Sequence, residues 1–202
     1  MRRFAFMVVA FAAMSLCIAC VCGCSLFRGK PAPNVLSAEE ESLGWGLLWE
    51  GAFPPSAWAD VRADSTNFTA VGWSVANDAL VASAGAEPIR TKTAFCDFDV
   101  KVDYRLAPGA SASIVYFHNA ETNVDTSVAY ELAPPPPGTE YEDAWQTARI
   151  VARRKSVTHW LDGRIVDRKT REDEELSGRI MLAPRSGSVE FRNMKVRIFG
   201  KW

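Results

Sequence analysis

Histidine is nearly absent from this chain, and cysteine is absent from most of it. The only histidines among its 202 residues are His118 and His159. Four of the five cysteines, Cys17, Cys20, Cys22 and Cys24, crowd into the first two dozen residues. Cys96 is left without a partner downstream, so there is neither a disulfide framework nor a zinc-ligand spacing. Lying between Phe95 and Phe98, it reads as a small strand residue. A basic surplus is missing too: 23 lysines and arginines face 24 acidic residues, for a net charge of −1. Without excess cations to displace counterions from phosphates, nucleic acid is not an expected partner. There is no HExxH, nucleophile elbow, P-loop or dinucleotide fingerprint. No cofactor or metal is expected.

Long hydrophobic runs are lacking except for one. Arg2 and Arg3 precede the apolar stretch Phe4–Val21, which ends in Val21-Cys22-Gly23-Cys24-Ser25. A short positive head, an apolar run and small residues before a cysteine resemble a bacterial lipoprotein signal peptide. The resemblance implies that Cys24 becomes the lipidated first residue of the mature chain, with Cys20 as the less regular alternative. An uncleaved membrane helix is the other reading, because the run approaches the ~20 residues that span a bilayer. Either way the remainder is tethered outside the cytoplasm, in the bacterial cell envelope. Ser25 after the cysteine resembles the pattern of outer-membrane sorting in a cell with two membranes. Removing the first 23 residues leaves 179, enough for one domain. Without Arg2 and Arg3 the balance becomes 21 basic against 24 acidic residues, a net charge of −3. The expected organisation is a signal over 1–23, a lipidated cysteine and tether over 24–35, and a single domain over 36–202.

Helix signals are confined to Ser37-Ala38-Glu39-Glu40, a capping box, with Gly44 placed to stop the helix. Strand signals dominate beyond it. In Phe98–Leu106, apolar and charged residues alternate without a fault, setting one row against a core and the other in water. Pro108-Gly109 ends that strand. Short runs of the same kind lie near 71–75, 79–83, 88–92, 112–118, 127–133, 146–154, 156–161, 164–168, 178–183 and 188–199. Asn77-Asp78 and Asp162-Gly163 mark tight turns, the latter a hairpin signal. Many short strands without crossover helices predict an antiparallel sandwich or barrel. Pro134–Pro137 cannot sit in a central strand, so 134–143 reads as an exposed loop. The charge run Arg171–Glu175 reads as a second, solvated loop.

A family resemblance emerges from an ordered series of residues. It begins with Leu36-Ser37-Ala38-Glu39-Glu40, Gly44-Trp45, Leu47-Leu48-Trp49-Glu50-Gly51 and Trp58. It continues through Gly72-Trp73-Ser74-Val75, Asn77-Asp78-Ala79-Leu80-Val81, Ile89-Arg90-Thr91-Lys92, Phe95–Val100 and Asp103–Leu106. Tyr130-Glu131, Trp145-Gln146, Leu161-Asp162-Gly163, Gly178-Arg179-Ile180 and Phe191-Arg192-Asn193-Met194 complete it. The series resembles the 3-keto-disaccharide hydrolase family. That implies an all-β, concanavalin-like jelly-roll sandwich of two antiparallel sheets, and a carbohydrate ligand or substrate, a glycoside or an oxidised sugar. The chain departs from the family where Asn-Ser-Gly usually opens a strand ending in Arg: Ala112–His118 stands there. Leu132-Ala133-Pro134-Pro135 likewise replaces the polar positions after the Tyr-Glu pair.

Strand alternation sets Ile114, Tyr116 and His118 on one face, and Glu131 with Ala129 and Ala133 on one face of a later strand. If both strands contribute to one groove, His118 and Glu131 are the candidate catalytic acid and base. Tyr116 and Trp145 are then the substrate-binding platforms. His159 reads as structural, and Trp45, Trp49, Trp58 and Trp73 as packing. Asp97, Asp99 and Asn123–Asp125 offer calcium-type oxygens without a signal beyond surface charge. A non-catalytic glycan-binding or envelope assembly module on the same scaffold is the alternative to an enzyme.

Overall fold

The computed structural model describes residues 32–61, 67–119, 126–132, 134 and 145–200. One helix, α1 (Ala38–Ser42), precedes the strands. These are β1 (Trp45–Leu47), β2 (Trp58–Asp60), β3 (Trp73–Ala76), β4 (Ala79–Ala82), β5 (Ile89–Phe95), β6 (Phe98–Leu106) and β7 (Ser111–His118). Then come β8 (Val128–Glu131), β9 (Gln146–Arg153), β10 (Ser156–Leu161), β11 (Arg164–Thr170), β12 (Gly178–Ser186) and β13 (Val189–Ile198). The capping box forms: Ser37 Oγ accepts from the Glu40 amide at 3.1 Å, and Glu40 Oε2 from the Ser37 amide at 2.9 Å.

The strands build two antiparallel sheets. The larger runs β11-β10-β9-β6-β13-β4-β3, with β1 also paired to β13, and the smaller runs β2-β5-β12-β7-β8. The two tight turns predicted from sequence both form, and each closes a hairpin. Asn77 and Asp78 join β3 to β4, and Asp162 and Gly163 join β10 to β11, all with positive φ as a type I′ turn requires. The β6 alternation holds as well. Phe98, Val100, Val102, Tyr104 and Leu106 are buried, and they meet Ile114, Tyr116, Phe117, Ile180 and Leu182 of the smaller sheet in one core. Each such side chain contributes roughly 1.5–3 kcal/mol of transfer free energy.

Register shifts at several points, and two of the bulges bear on how the surface is arranged. In β7, Val115 pairs with Met181 and His118 with Arg179, so Tyr116 and Phe117 together oppose Ile180 alone. Phe117 takes a φ of 58°, and both aromatic rings turn into the core, 5.1 Å apart. Gly178 permits this, because a Cβ there would lie 2.3–2.6 Å from the Phe117 backbone. In β13, Arg192 pairs with Asp103 and Lys195 with Lys101, so Asn193 and Met194 oppose Val102 alone. Asn34 clasps that bulge. Its amide donates to Asn193 Oδ1 at 2.7 Å, and the Asn193 amide returns a bond to Asn34 Oδ1 at 2.8 Å.

Three local expectations are corrected. The tether does not reach 35, since Asn34 is buried and docked on β13. Cys96 lies in the turn between β5 and β6 rather than in a strand. Arg171 is no solvated loop residue. Its guanidinium is buried, lies 5.1 Å from the Phe117 ring centre, and donates to the Cys96 and Leu176 carbonyls and to Asp97. A planar fork with five donors can tie three chain segments together, which is why an arginine holds this junction.

Candidate functional site

The alternation that buries one row of β6 sends Asp99, Lys101, Asp103 and Arg105 to the outer face of the larger sheet. Register aligns them with neighbours far away in sequence. Lys101 is flanked by Arg149 on β9 and Lys195 on β13, and Arg149 is followed by Trp160 on β10. One row across four strands therefore reads lysine, lysine, arginine, tryptophan.

Carboxylates from adjacent rows hold these cations. Asp99 is 0 % exposed and accepts Arg149 Nε and Nη2, each at 2.7 Å, and Arg197 Nη2 at 2.9 Å. A buried carboxylate needs such partners, because desolvating an unpaired charge costs several kcal/mol. Glu40 grips Lys195 through both oxygens, at 2.9 and 2.7 Å. Asp103 accepts from Thr147 Oγ1 and Asn193 Nδ2, both at 2.7 Å. Lys101 has no carboxylate within ion-pair distance among the described residues; its ammonium lies 4.5 Å from the centre of the Trp45 ring. Burial, and then the neighbouring Arg149, pull its pKa below the usual lysine value against the opposing pull of Asp99 and Glu40.

Beside Lys101 a cleft of about 320 Å³ opens, lined by Lys101, Thr147, Arg149, Trp160, Asp162 and Gly163. The β10–β11 turn forms its rim. That turn is pinned to β9: the Thr147 amide donates to Asp162 Oδ1 at 2.8 Å, and the Asp162 amide to the Thr147 carbonyl at 3.0 Å. The Arg149 guanidinium lies 5.6 Å from the Trp160 ring centre. The cleft thus joins an apolar indole wall to cationic donors, a hydroxyl and one carboxylate. That combination suits a sugar ring, whose C–H face packs on an aromatic surface while its hydroxyls take hydrogen bonds.

The side chains singled out from sequence do not converge. Tyr116 is 0 % exposed and bonds His159 Nε2 through its hydroxyl at 2.9 Å, so it is a core residue and not a platform. Alternation puts Tyr116 in the core with Ile114, and the bulge at Phe117 turns His118 away from both. His118 lies 3.3 Å from Ser127 Oγ on the smaller sheet. Glu131 opposes Ser113 on that sheet and meets Arg185 at 2.8 Å, with 61 % of its side chain exposed. Five residues of strand separate the Ser113 and His118 levels, roughly 13–16 Å. His118 and Glu131 therefore share no groove. Trp145 does lie on the larger sheet's outer face, but guanidiniums cover it: Arg192 at 3.8 Å and Arg105 at 5.0 Å from its ring centre. The acidic oxygens weighed for calcium are engaged instead by arginines, Asp97 by Arg171 and Asp99 by Arg149 and Arg197. Asn123–Asp125, the 135–144 part of the proline-rich loop, and Cys24 fall outside the described residues.

His159 is structural, as expected from sequence. Buried between the sheets, it stacks on Tyr130 with ring centres 4.6 Å apart, and burial lowers its pKa despite Asp167 nearby. Burial, with Asp162 second, pushes the Tyr130 hydroxyl up to about 12.

A model of the 3-keto-alpha-glucoside-1,2-lyase-like domain matches residues 44–197. The chain belongs to this family. Members of the lyase-like family need not share one chemistry, and the solved structures similar to this one are diverse. A candidate glycosyl hydrolase from Parabacteroides distasonis superposes with a TM-score of 0.68 at 16 % identity, covering 84 % of this chain and all of its own. A carbohydrate-binding module from Bacillus subtilis gives 0.51 at 12 %, covering 70 % of this chain and 96 % of its own. A Bacillus licheniformis beta-glucanase gives 0.55 at 11 %, covering 78 % and 99 %. At such identities the likeness is one of fold, and that fold is the expected jelly-roll sandwich. No match to the sequence was found among curated proteins.

Proposed function

We propose that the chain is an envelope-anchored protein that binds a glycoside or oxidised sugar in the cleft between Lys101, Arg149 and Trp160. The observation that carries this reading is the indole wall standing beside cationic donors and the Thr147 and Asp162 oxygens in a cleft sized for one ring. Trp160 covers the apolar face of the sugar, and Lys101, Thr147 and Asp162 address its oxygens. Anchoring rests on the signal-like N-terminus with Cys24 as the acylated residue. Replacing Cys24 with serine should abolish lipid labelling; labelling that persists moves the site to Cys20.

Family membership favours a second reading, in which the bound ring is cleaved. In a 1,2-elimination from a 3-keto-glucoside, a base takes the C2 proton, acidified by the adjacent ketone, and the C1–O bond breaks as the C1–C2 double bond forms, the departing oxygen taking a proton from water. Asp162 is the carboxylate lining the cleft and would take that proton. Binding is the stronger reading because Asp99 and Asp103 are engaged by arginine, threonine and asparagine, leaving no second carboxylate in the cleft lining. The test uses the full-length protein in detergent, titrated with 3-keto-glucosides and their parent disaccharides. Saturable binding that is lost in Trp160→Ala, without product formation, supports the binding module. Turnover abolished by Asp162→Asn establishes the enzyme, and no binding to any sugar overturns both.

A further inference from the structure

The charges around the cleft do not balance. Lys101, Arg149, Lys195 and Arg197 are four cations in two adjacent rows of the larger sheet. Three carboxylates face them: Asp99 shared by Arg149 and Arg197, Glu40 on Lys195, and Asp162 on the rim. Farther along the face, Glu190 meets Arg105 at 2.6 Å, and Arg192 lies among Asp103, Glu190 and Asp78, so that end holds no surplus cation. Within the cleft's own row, Arg149 and Lys195 each have a carboxylate partner, and Lys101 is the cation without one among the described residues. The uncompensated ammonium is also part-buried, which makes it costly to leave in place.

We infer that the sugar taken by this cleft is acidic, carrying a single carboxylate that bridges Lys101 and Arg149. This rests on the carbohydrate reading above and narrows its substrate class to uronic-acid-type rings. The donor count decides between a carboxylate and a more highly charged group. Arg149 spends Nε and Nη2 on Asp99, and Nη1 has no hydrogen bond among the described residues. Nη1 and the Lys101 ammonium therefore offer two donor groups for two oxygens. A phosphate dianion brings three oxygens and twice the charge that is missing. Trp160, in the same cleft lining, then packs on the ring that bears the acid. An incoming carboxylate also relieves the repulsion between Lys101 and Arg149 that lowers the lysine's proton affinity in the free protein.

The experiment compares a glucuronate-containing disaccharide with its neutral glucose counterpart, titrated calorimetrically into the full-length protein at low and at 0.5 M salt (~4 Å screening length). The expected result is affinity at least about tenfold higher for the acidic sugar, the scale of one charge-assisted contact, with the preference shrinking in high salt. Lys101→Met should weaken binding of the acidic sugar at least about fivefold more than binding of the neutral one, erasing the preference, and Lys101→Arg should retain most of it. Thermal melting of both variants establishes that they fold. Equal affinity for the two sugars, or a preference untouched by Lys101→Met, overturns the acidic assignment while the carbohydrate reading stands. No binding of either sugar, with Trp160→Ala indistinguishable from the parent, overturns the carbohydrate reading and this inference with it.

Discussion

On the outer face of the larger sheet, Asp99 is fully enclosed and gripped by two arginines. On the smaller sheet, Glu131 meets Arg185 with more than half of each side chain in water. Both are ion pairs by distance, yet they differ physically. The exposed pair exchanges one solvation for another and is worth at most about 1 kcal/mol. The enclosed carboxylate has lost its water, and its arginines are the replacement. Polar residues on a sandwich surface are therefore not equivalent, and the face that holds desolvated charge in register carries the cleft beside Lys101.

The sharpest way to break this comparison is to remove the enclosed charge. Asp99→Ala leaves Arg149, Arg197 and Lys101 facing one another without it, and should cost about 3 kcal/mol or more in urea unfolding. Glu131→Ala on the smaller sheet should change stability by no more than about 0.5 kcal/mol. Equal effects would mean that the two faces do not differ as described. Next in size is Gly178→Ala, whose Cβ meets the Phe117 backbone and cannot be relieved by a rotamer change. It should cost about 1–3 kcal/mol and lower the melting temperature.

Ligand binding compares the same two faces through function. Trp160→Ala should weaken sugar binding by about tenfold or more, the range of an aromatic anchor. His118→Ala on the other sheet should leave the calorimetric affinity unchanged. The smallest expected effect is on the pH profile. The folded-state pKa of His159 lies below its unfolded value, so the unfolded chain binds more protons as pH falls below about 6.5. Its contribution to stability is present above that pH and is lost on acidification, with a slope of at most about 1.4 kcal/mol per pH unit. Denaturation midpoints between pH 7.5 and 5.0 should fall less in His159→Gln than in the parent.

Much of the fold could be read from the sequence because its signals are local. The alternation in Phe98–Leu106, the Asp162-Gly163 turn and the Ser37–Glu40 capping box each state a backbone geometry within a few residues. The site could not be read in the same way. Lys101, Arg149, Trp160 and Lys195 become neighbours only through strand register, and no local pattern encodes which strands pair. Lys101 was visible as a member of a water-facing row, but nothing nearby in sequence marked it as the uncompensated one. Tyr116 misled because alternation does not say which face of a strand is buried, and His118 misled for a different reason. A single inserted residue at Phe117 inverts every later side chain of that strand, and the glycine that accommodates it sits sixty-one residues away at Gly178.

The clasp between Asn34 and Asn193 has a geometric consequence for a chain acylated at Cys24 as proposed. Nine residues lie between that cysteine and Asn34. Even fully stretched, the ten steps from one to the other span no more than about 35 Å. Under that proposal the docked asparagine, rather than the first strand, fixes the greatest length the leash could reach.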